Sequence, residues 1–177
     1  MHFLPFTRWG GVAVQIQIIL SIYIGSLKTK PSPKLLKATA ILTEMCLPSQ
    51  ILIVCVYWTL LHDFVMQSIL HLNDPWIEFL FVYVHVWPGL AILFNVVFTD
   101  LRLIPSHSRY MIPVGLVYLV VNLVGTIVRE EPVYPFLTWK DYKSPLIAGG
   151  LVISGKINYD IVCWIVNKVT KKRLNNP

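Results

Sequence analysis

The sequence predicts an all-α, polytopic membrane protein, a bundle of about five transmembrane helices. Three observations point to this fold class: five long apolar runs, a composition with 55% hydrophobic and only 14% charged residues, and short links between the runs. A helix rises about 1.5 Å per residue, so about 20 apolar residues cross the ~30 Å hydrocarbon core of a bilayer. The runs lack the alternation of barrel strands, so helices are the expected spanning elements.

Four of the predicted spans are continuous apolar runs, and the fifth is weaker. The spans cover residues 9–26, 38–61, 76–98, 111–128 and 146–169, and the last contains Lys156, Asn158 and Asp160. Lys156 and Asp160 are four residues apart, so on a helix they share a face and can neutralise each other. No link is long enough for a separate soluble domain, so residues 1–170 are expected to form one transmembrane domain. The basic segment 171–177 is expected to be a disordered tail.

The formal charge of +6 is explained by topology. Five spans place the N-terminus and the links 62–75 and 129–145 on one side of the membrane, side A. The links 27–37 and 99–110 and the tail then lie on the other side, side B. With Lys168 at the end of the last span counted with the tail, ten Lys and Arg residues fall on side B against four on side A. This bias predicts that side B faces the cytosol or a mitochondrial matrix. Anionic headgroups account for the basic tail, so no nucleic-acid partner is expected.

Prolines and one carboxylate also lie within the predicted spans. Pro48, Pro88 and Pro113 each remove a backbone N–H and are expected to kink their helices. Glu44, a turn or two into the second span, is expected to reach the interface or to pair with the basic link 27–37.

Thr7 and His85 are the candidate reactive groups. An ionisable side chain at membrane depth is costly, which makes His85 in the third span a functional candidate. Thr7 lies just before the first span, where threonine is common as a helix cap. The functional hypothesis is a threonine nucleophile activated by His85 as base. The alternatives are a capping threonine and a histidine that makes an interhelical hydrogen bond. The first and third spans both start on side A, so the topology permits the pairing.

Three motifs carry a family resemblance. They are Phe-Leu-Pro-Phe-Thr-Arg-Trp at residues 3–9, His85 followed by Pro88, and Val-Tyr-Pro-Phe-Leu at residues 133–137. In these motifs the chain resembles the androgen-induced and androgen-dependent membrane proteins, which are intramembrane threonine hydrolases of fatty acid esters of hydroxy fatty acids. Family members typically have six spans with both ends cytosolic, and this chain resembles the last five. The resemblance implies Thr7 as nucleophile and His85 as general base, without a metal or other cofactor.

Two functions follow as hypotheses. For a lipid-ester hydrolase in an endomembrane or plasma membrane, Tyr134, Trp139 and Trp87 are expected to line the substrate site. The alternative is a non-catalytic accessory subunit of a larger membrane complex, for example in the mitochondrial inner membrane, with other membrane subunits as partners. A transporter is disfavoured because Lys156–Asp160 is the only charged pair at depth and there is no internal repeat.

Overall fold

The computed structural model describes residues 5–69, 74–98 and 102–175, apart from the side chains of residues 172–175. Within these ranges it contains helices and no strand, which confirms the all-α prediction. Phe3 and Leu4 of the N-terminal motif lie outside the described residues, as do residues 176 and 177 of the predicted tail.

Five stretches of the described ranges are long and apolar enough to cross a membrane, so the protein is an integral, multi-pass membrane protein. The helices of the described ranges are α1 (Phe6–Ser26), α2 (Pro33–Val56), α3 (His62–Ile69), α4 (Pro75–Val97), α5 (Met111–Arg129) and α6 (Lys143–Asn175). A π-helical segment, Tyr57–Leu61, joins α2 to α3, and a 3-10 helix, Pro105–Tyr110, precedes α5.

Three of the predicted spans differ from the observed helices by three residues or more at one end or both. The first helix begins at Phe6, so Thr7 lies in its first turn. The second span runs from Pro33 to Ile69, because the π-helical segment carries the chain from α2 into α3 without a break. The last helix continues to Asn175 and so includes most of the segment expected to be a disordered tail.

The prolines have unequal effects. Pro48 and Pro88 lie inside α2 and α4, as predicted. Pro113 is the third residue of α5, and the N–H groups of a first turn have no intrahelical acceptor, so nothing is lost there.

The chain divides into two compact units. The N-terminal unit is Gly10–Leu101, and the C-terminal unit combines Met1–Trp9 with Arg102–Pro177. In the N-terminal unit Glu44 is buried, with 2% of its surface exposed.

Contacts within the N-terminal unit show that α1 and α4 both run antiparallel to α2. Gln17 of α1 donates a hydrogen bond to Thr43, and Gly10, two turns earlier, lies against Gln50, two turns later on α2. On α4, Gly89 lies against Gln50 and His85 lies against Tyr57. In each pair of helices, residues later in one helix contact residues earlier in the other, which is the antiparallel arrangement.

In the C-terminal unit, polar side chains of α6 pair with the irregular backbone that precedes α5. The Asn167 amide accepts from the Leu103 N–H at 2.9 Å and donates to the Leu103 carbonyl at 2.8 Å, and the Tyr159 hydroxyl donates to the Ile104 carbonyl. Non-helical backbone within a membrane protein needs such partners. The predicted Lys156–Asp160 pair is confirmed, with Nζ and Oδ2 2.7 Å apart.

Candidate functional site

His85 lies on α4 with its basic nitrogen available. Its side chain is buried, and Nδ1 lies 2.6 Å from the Phe81 carbonyl oxygen one turn earlier. A carbonyl only accepts, so Nδ1 carries the proton and Nε2 keeps its lone pair. A backbone carbonyl of its own helix therefore orients the ring. The alternative interpretation expects a hydrogen bond from His85 to a neighbouring helix.

Tyr57 covers one face of the imidazole. The two rings are stacked, with centroids 3.9 Å apart and planes 14° apart. Tyr57 is fully buried, and its hydroxyl has no hydrogen-bond partner within the described part of the chain. A π-helical segment begins at this residue, and such segments occur often at functional sites.

Gln50 lies two turns before Tyr57 on α2 and faces two glycines. A Cβ added to Gly10 would lie 2.6 Å from Gln50 Nε2, and one added to Gly89 would lie 3.7 Å from Gln50 Cβ. Glycine at position 10 lets α1 approach the amide closely, whereas a Cβ at Gly89 would make an ordinary van der Waals contact with Gln50 Cβ. Gln50 is 1% exposed, and its Nε2 lacks an acceptor among the described residues.

Trp87 does not lie on the face of α4 that carries His85. Its ring stacks on Tyr83, and both side chains are exposed. Two residues along a helix point to nearly opposite faces, which separates Trp87 from the buried imidazole. The structure therefore gives no support to the prediction that Trp87 lines a substrate site beside His85.

In the C-terminal unit, Tyr134 binds the turn that carries Thr7. The Phe6 N–H donates to the Tyr134 hydroxyl at 2.8 Å, which satisfies one of the free donors at the start of α1. Tyr134 also shares a hydrogen bond with the Tyr118 hydroxyl, and the Phe6 and Trp9 rings pack against the Tyr118 ring.

Trp139 belongs to the same cluster. Its indole N–H donates to Asn122 Oδ1 at 2.8 Å, and Asn122 Nδ2 lies 3.5 Å from the Tyr118 hydroxyl. Trp139 has φ of 58°, a conformation uncommon for a bulky residue. Its backbone N–H is held by the Ser144 hydroxyl at 2.9 Å. The structure thus brings Thr7, Tyr134 and Trp139 into one unit and connects the last two through Tyr118 and Asn122.

Burial dominates the electrostatics of this cluster. It raises the pKa of Tyr134, which lies between the spans, while the hydrogen bonds from Tyr118 and from the Phe6 N–H act in the opposite direction. Tyr134 is therefore a neutral hydroxyl near neutral pH, able to accept from Phe6.

The predicted Thr7–His85 pairing stays a prediction, because the two residues belong to different units. Sequence reasoning missed Tyr57, Gln50 and Tyr118. A signal for two of them existed, since Thr43, Gln50 and Tyr57 recur at seven-residue intervals, which places three polar groups on one helix face.

Among the described residues, no group of three or more His, Cys, Asp or Glu side chains is arranged to hold a metal ion. No model of a protein family matches this chain, and no curated protein or solved structure matches it either.

Proposed function

We propose that this protein is an intramembrane hydrolase of lipid esters in which Thr7 is the nucleophile and His85 the general base. The observation that carries the proposal is the imidazole of His85, buried in a transmembrane helix with Nδ1 on a carbonyl and Nε2 free to take a proton. A buried, oriented, neutral histidine is what a threonine nucleophile requires. The motif resemblance supplies the substrate class, fatty acid esters of hydroxy fatty acids.

The predicted topology permits the pairing. The first and third spans both start on side A, Thr7 lies in the first turn of α1, and His85 lies within α4. Within the N-terminal unit, Gln50 of α2 lies against Gly10 of α1 and against Gly89, one turn beyond His85 on α4.

The proposed reaction needs only these side chains and water. His85 Nε2 takes the Thr7 hydroxyl proton as the oxygen attacks the ester carbonyl carbon. The bond from that carbon to the alcohol oxygen breaks, and the alcohol leaves with the proton from His85. Water, deprotonated by His85, then attacks the acyl carbon, the bond from that carbon to the Thr7 oxygen breaks, and His85 returns the proton to Thr7 as the fatty acid is released. Tyr134 and Trp139 would line the approach on side A, beside the turn that carries Thr7.

The test is hydrolysis of a fatty acid ester of a hydroxy fatty acid by the purified protein in lipid nanodiscs. The wild type should release free fatty acid, Thr7→Ala and His85→Ala should fall to the background rate, and Thr7→Ser should retain turnover. Matched controls are Thr59→Ala, whose hydroxyl donates to its own helix, and His62→Ala on the neighbouring helix. An inactive wild type, or full turnover by Thr7→Ala, would overturn the proposal.

A second candidate is a non-catalytic subunit of a larger membrane complex. One observation favours it: α4 carries a row of exposed aromatic rings in successive contact, Trp76, Phe79, Tyr83 and Trp87. Such a row offers a large apolar surface to a partner helix. Stable co-purification with other membrane subunits, lost on Phe79→Ala with Tyr83→Ala, together with an inactive wild type, would favour this function.

A further inference from the structure

We propose that the Tyr57 hydroxyl donates the hydrogen bond that holds the carbonyl oxygen of the bound ester, a role that rests on the proposed function. Acyl transfer develops negative charge on that oxygen, and a fixed donor aimed at it stabilises the transition state more than the ground state. Tyrosine hydroxyls are among the groups that fill this role.

The first support is that the Tyr57 hydroxyl is a buried donor without a partner. Tyr57 has no exposed surface, and its oxygen makes no hydrogen bond within the described residues. A polar group buried in this state costs about 1–3 kcal/mol, so most such groups in folded proteins are paired. If the carbonyl oxygen of the substrate is the acceptor, the Tyr57 hydroxyl needs no partner from the described residues of the protein.

The second support is the position of the hydroxyl beside the proposed base. The phenol and imidazole rings overlap with their planes only 14° apart, so the hydroxyl lies in a layer directly next to the His85 ring. In acyl transfer the carbonyl oxygen lies within a few ångströms of the base, because the nucleophile between them contacts both. The stacked rings therefore place the Tyr57 side chain directly beside the proposed base.

The third support comes from a comparison with the other buried tyrosine hydroxyls. Tyr118 and Tyr159 are also buried, but Tyr118 shares a hydrogen bond with Tyr134, and Tyr159 donates to a backbone carbonyl. Their hydroxyls are used within the fold. The Tyr57 hydroxyl, next to His85, has no such partner among the described residues.

The experiment uses Tyr57→Phe, which removes one oxygen and keeps the ring stack. In the nanodisc assay we expect kcat to fall about 10²–10³-fold, the effect of removing one such donor, with KM nearly unchanged. Thermal stability should stay the same or rise, because a buried unpaired group is removed. A structural role would instead lower stability and activity together. Tyr23→Phe, an exposed tyrosine of α1, is the control and should have no effect.

A second readout does not depend on turnover. In the Thr7→Ala background, a bound ester labelled with ¹³C at its carbonyl should show a lowered carbonyl stretching frequency, and this shift should vanish in Thr7→Ala with Tyr57→Phe. Wild-type turnover by Tyr57→Phe, or an unchanged stretching frequency, overturns the inference and leaves the Thr7–His85 hydrolase standing. An inactive wild type overturns both, so the two failures are distinguishable.

Discussion

Gly10 lies so close to Gln50 that a Cβ on the glycine would be 2.6 Å from Gln50 Nε2, and 2.5 Å from Ile53 Cδ1. Real side chains do not sustain such distances, so in Gly10→Ala the ends of the Gln50 and Ile53 side chains must shift within a buried contact. Because those ends are flexible, we expect a cost at the low end of the about 1–3 kcal/mol that is typical of overpacking. We expect the melting temperature in nanodiscs to fall.

The neighbouring Gly11 is the matched control for this prediction, because a Cβ there would meet nothing within 4 Å. Gly11→Ala should leave stability unchanged or raise it slightly through helix propensity. Ile53→Val removes the atom nearest to the added methyl group, so it should partly rescue Gly10→Ala. Equal melting temperatures for the two alanine variants would contradict the close approach of the helices.

The two buried glutamines of the N-terminal unit should respond differently to replacement by methionine. Gln17 Nε2 donates to Ser21 and to Thr43, both at 2.9 Å, whereas Gln50 Nε2 has no acceptor within the described ranges. Gln17→Met should lower the free energy of unfolding by about 0.6–2 kcal/mol, the usual contribution of an interhelical hydrogen bond in a membrane.

Gln50→Met should be neutral or stabilising, because it replaces an unpaired buried amide by an apolar chain of similar length. The measurement is thermal unfolding of both variants in the same detergent. A larger loss of stability in Gln50→Met than in Gln17→Met would contradict this prediction. It would mean that the Gln50 amide makes a stabilising hydrogen bond.

Run length and composition were sufficient to predict five spans, because the thickness of a bilayer leaves few alternatives to a helix of about 20 residues. They could not predict the start of α1 at Phe6, since that boundary depends on the Tyr134 hydroxyl, 128 residues away, which accepts from the Phe6 N–H. Contacts over such a separation leave no trace in local periodicity.

The candidate site was predicted in part for a related reason. His85 stands out because ionisable groups are rare in apolar spans. Tyr57 and Gln50 are uncharged, and their importance comes from a stacked ring and a missing partner, which only coordinates display. Proximity in sequence does not give the helix face, and the Trp87 side chain, two residues beyond His85, points to nearly the opposite face of α4.

Tyr134 should make stability depend on pH in the alkaline range. Burial raises the pKa of Tyr134 above the value of about 10 for a free tyrosine. The stability contributed by this shift is fully present below about pH 10, and it is lost as the pH rises through the higher pKa of the folded state. Thermal unfolding should therefore show a steeper decline above about pH 10 for the wild type than for Tyr134→Phe. Parallel curves would contradict the burial of this hydroxyl.

At neutral pH the same variant should be less stable than the wild type. Tyr134→Phe leaves the Phe6 N–H without its acceptor and removes the hydrogen bond between Tyr134 and Tyr118, at a cost of about 1–3 kcal/mol. Tyr142→Phe is the control, because its side chain is exposed beside the same cluster. An unchanged melting temperature would show that water replaces the lost bonds.

Lys156 and Asp160 should behave as one neutral unit within the span of α6. Their charged atoms are 2.7 Å apart, and the Asp160 carboxylate also accepts a hydrogen bond from Ser108. Lys156→Met or Asp160→Leu alone leaves one charge at membrane depth without its counterion, which is more costly than removing both. Each single variant should therefore melt below the wild type in nanodiscs, and the double variant should melt above both singles.

Lys168→Met is the control for this prediction. The Lys168 ammonium group contacts the Trp164 ring near the end of the span, so this variant should have a smaller effect. Additive losses in the double variant would show that the two charges are solvated independently, and the pair would then make no contribution to keeping α6 in the membrane.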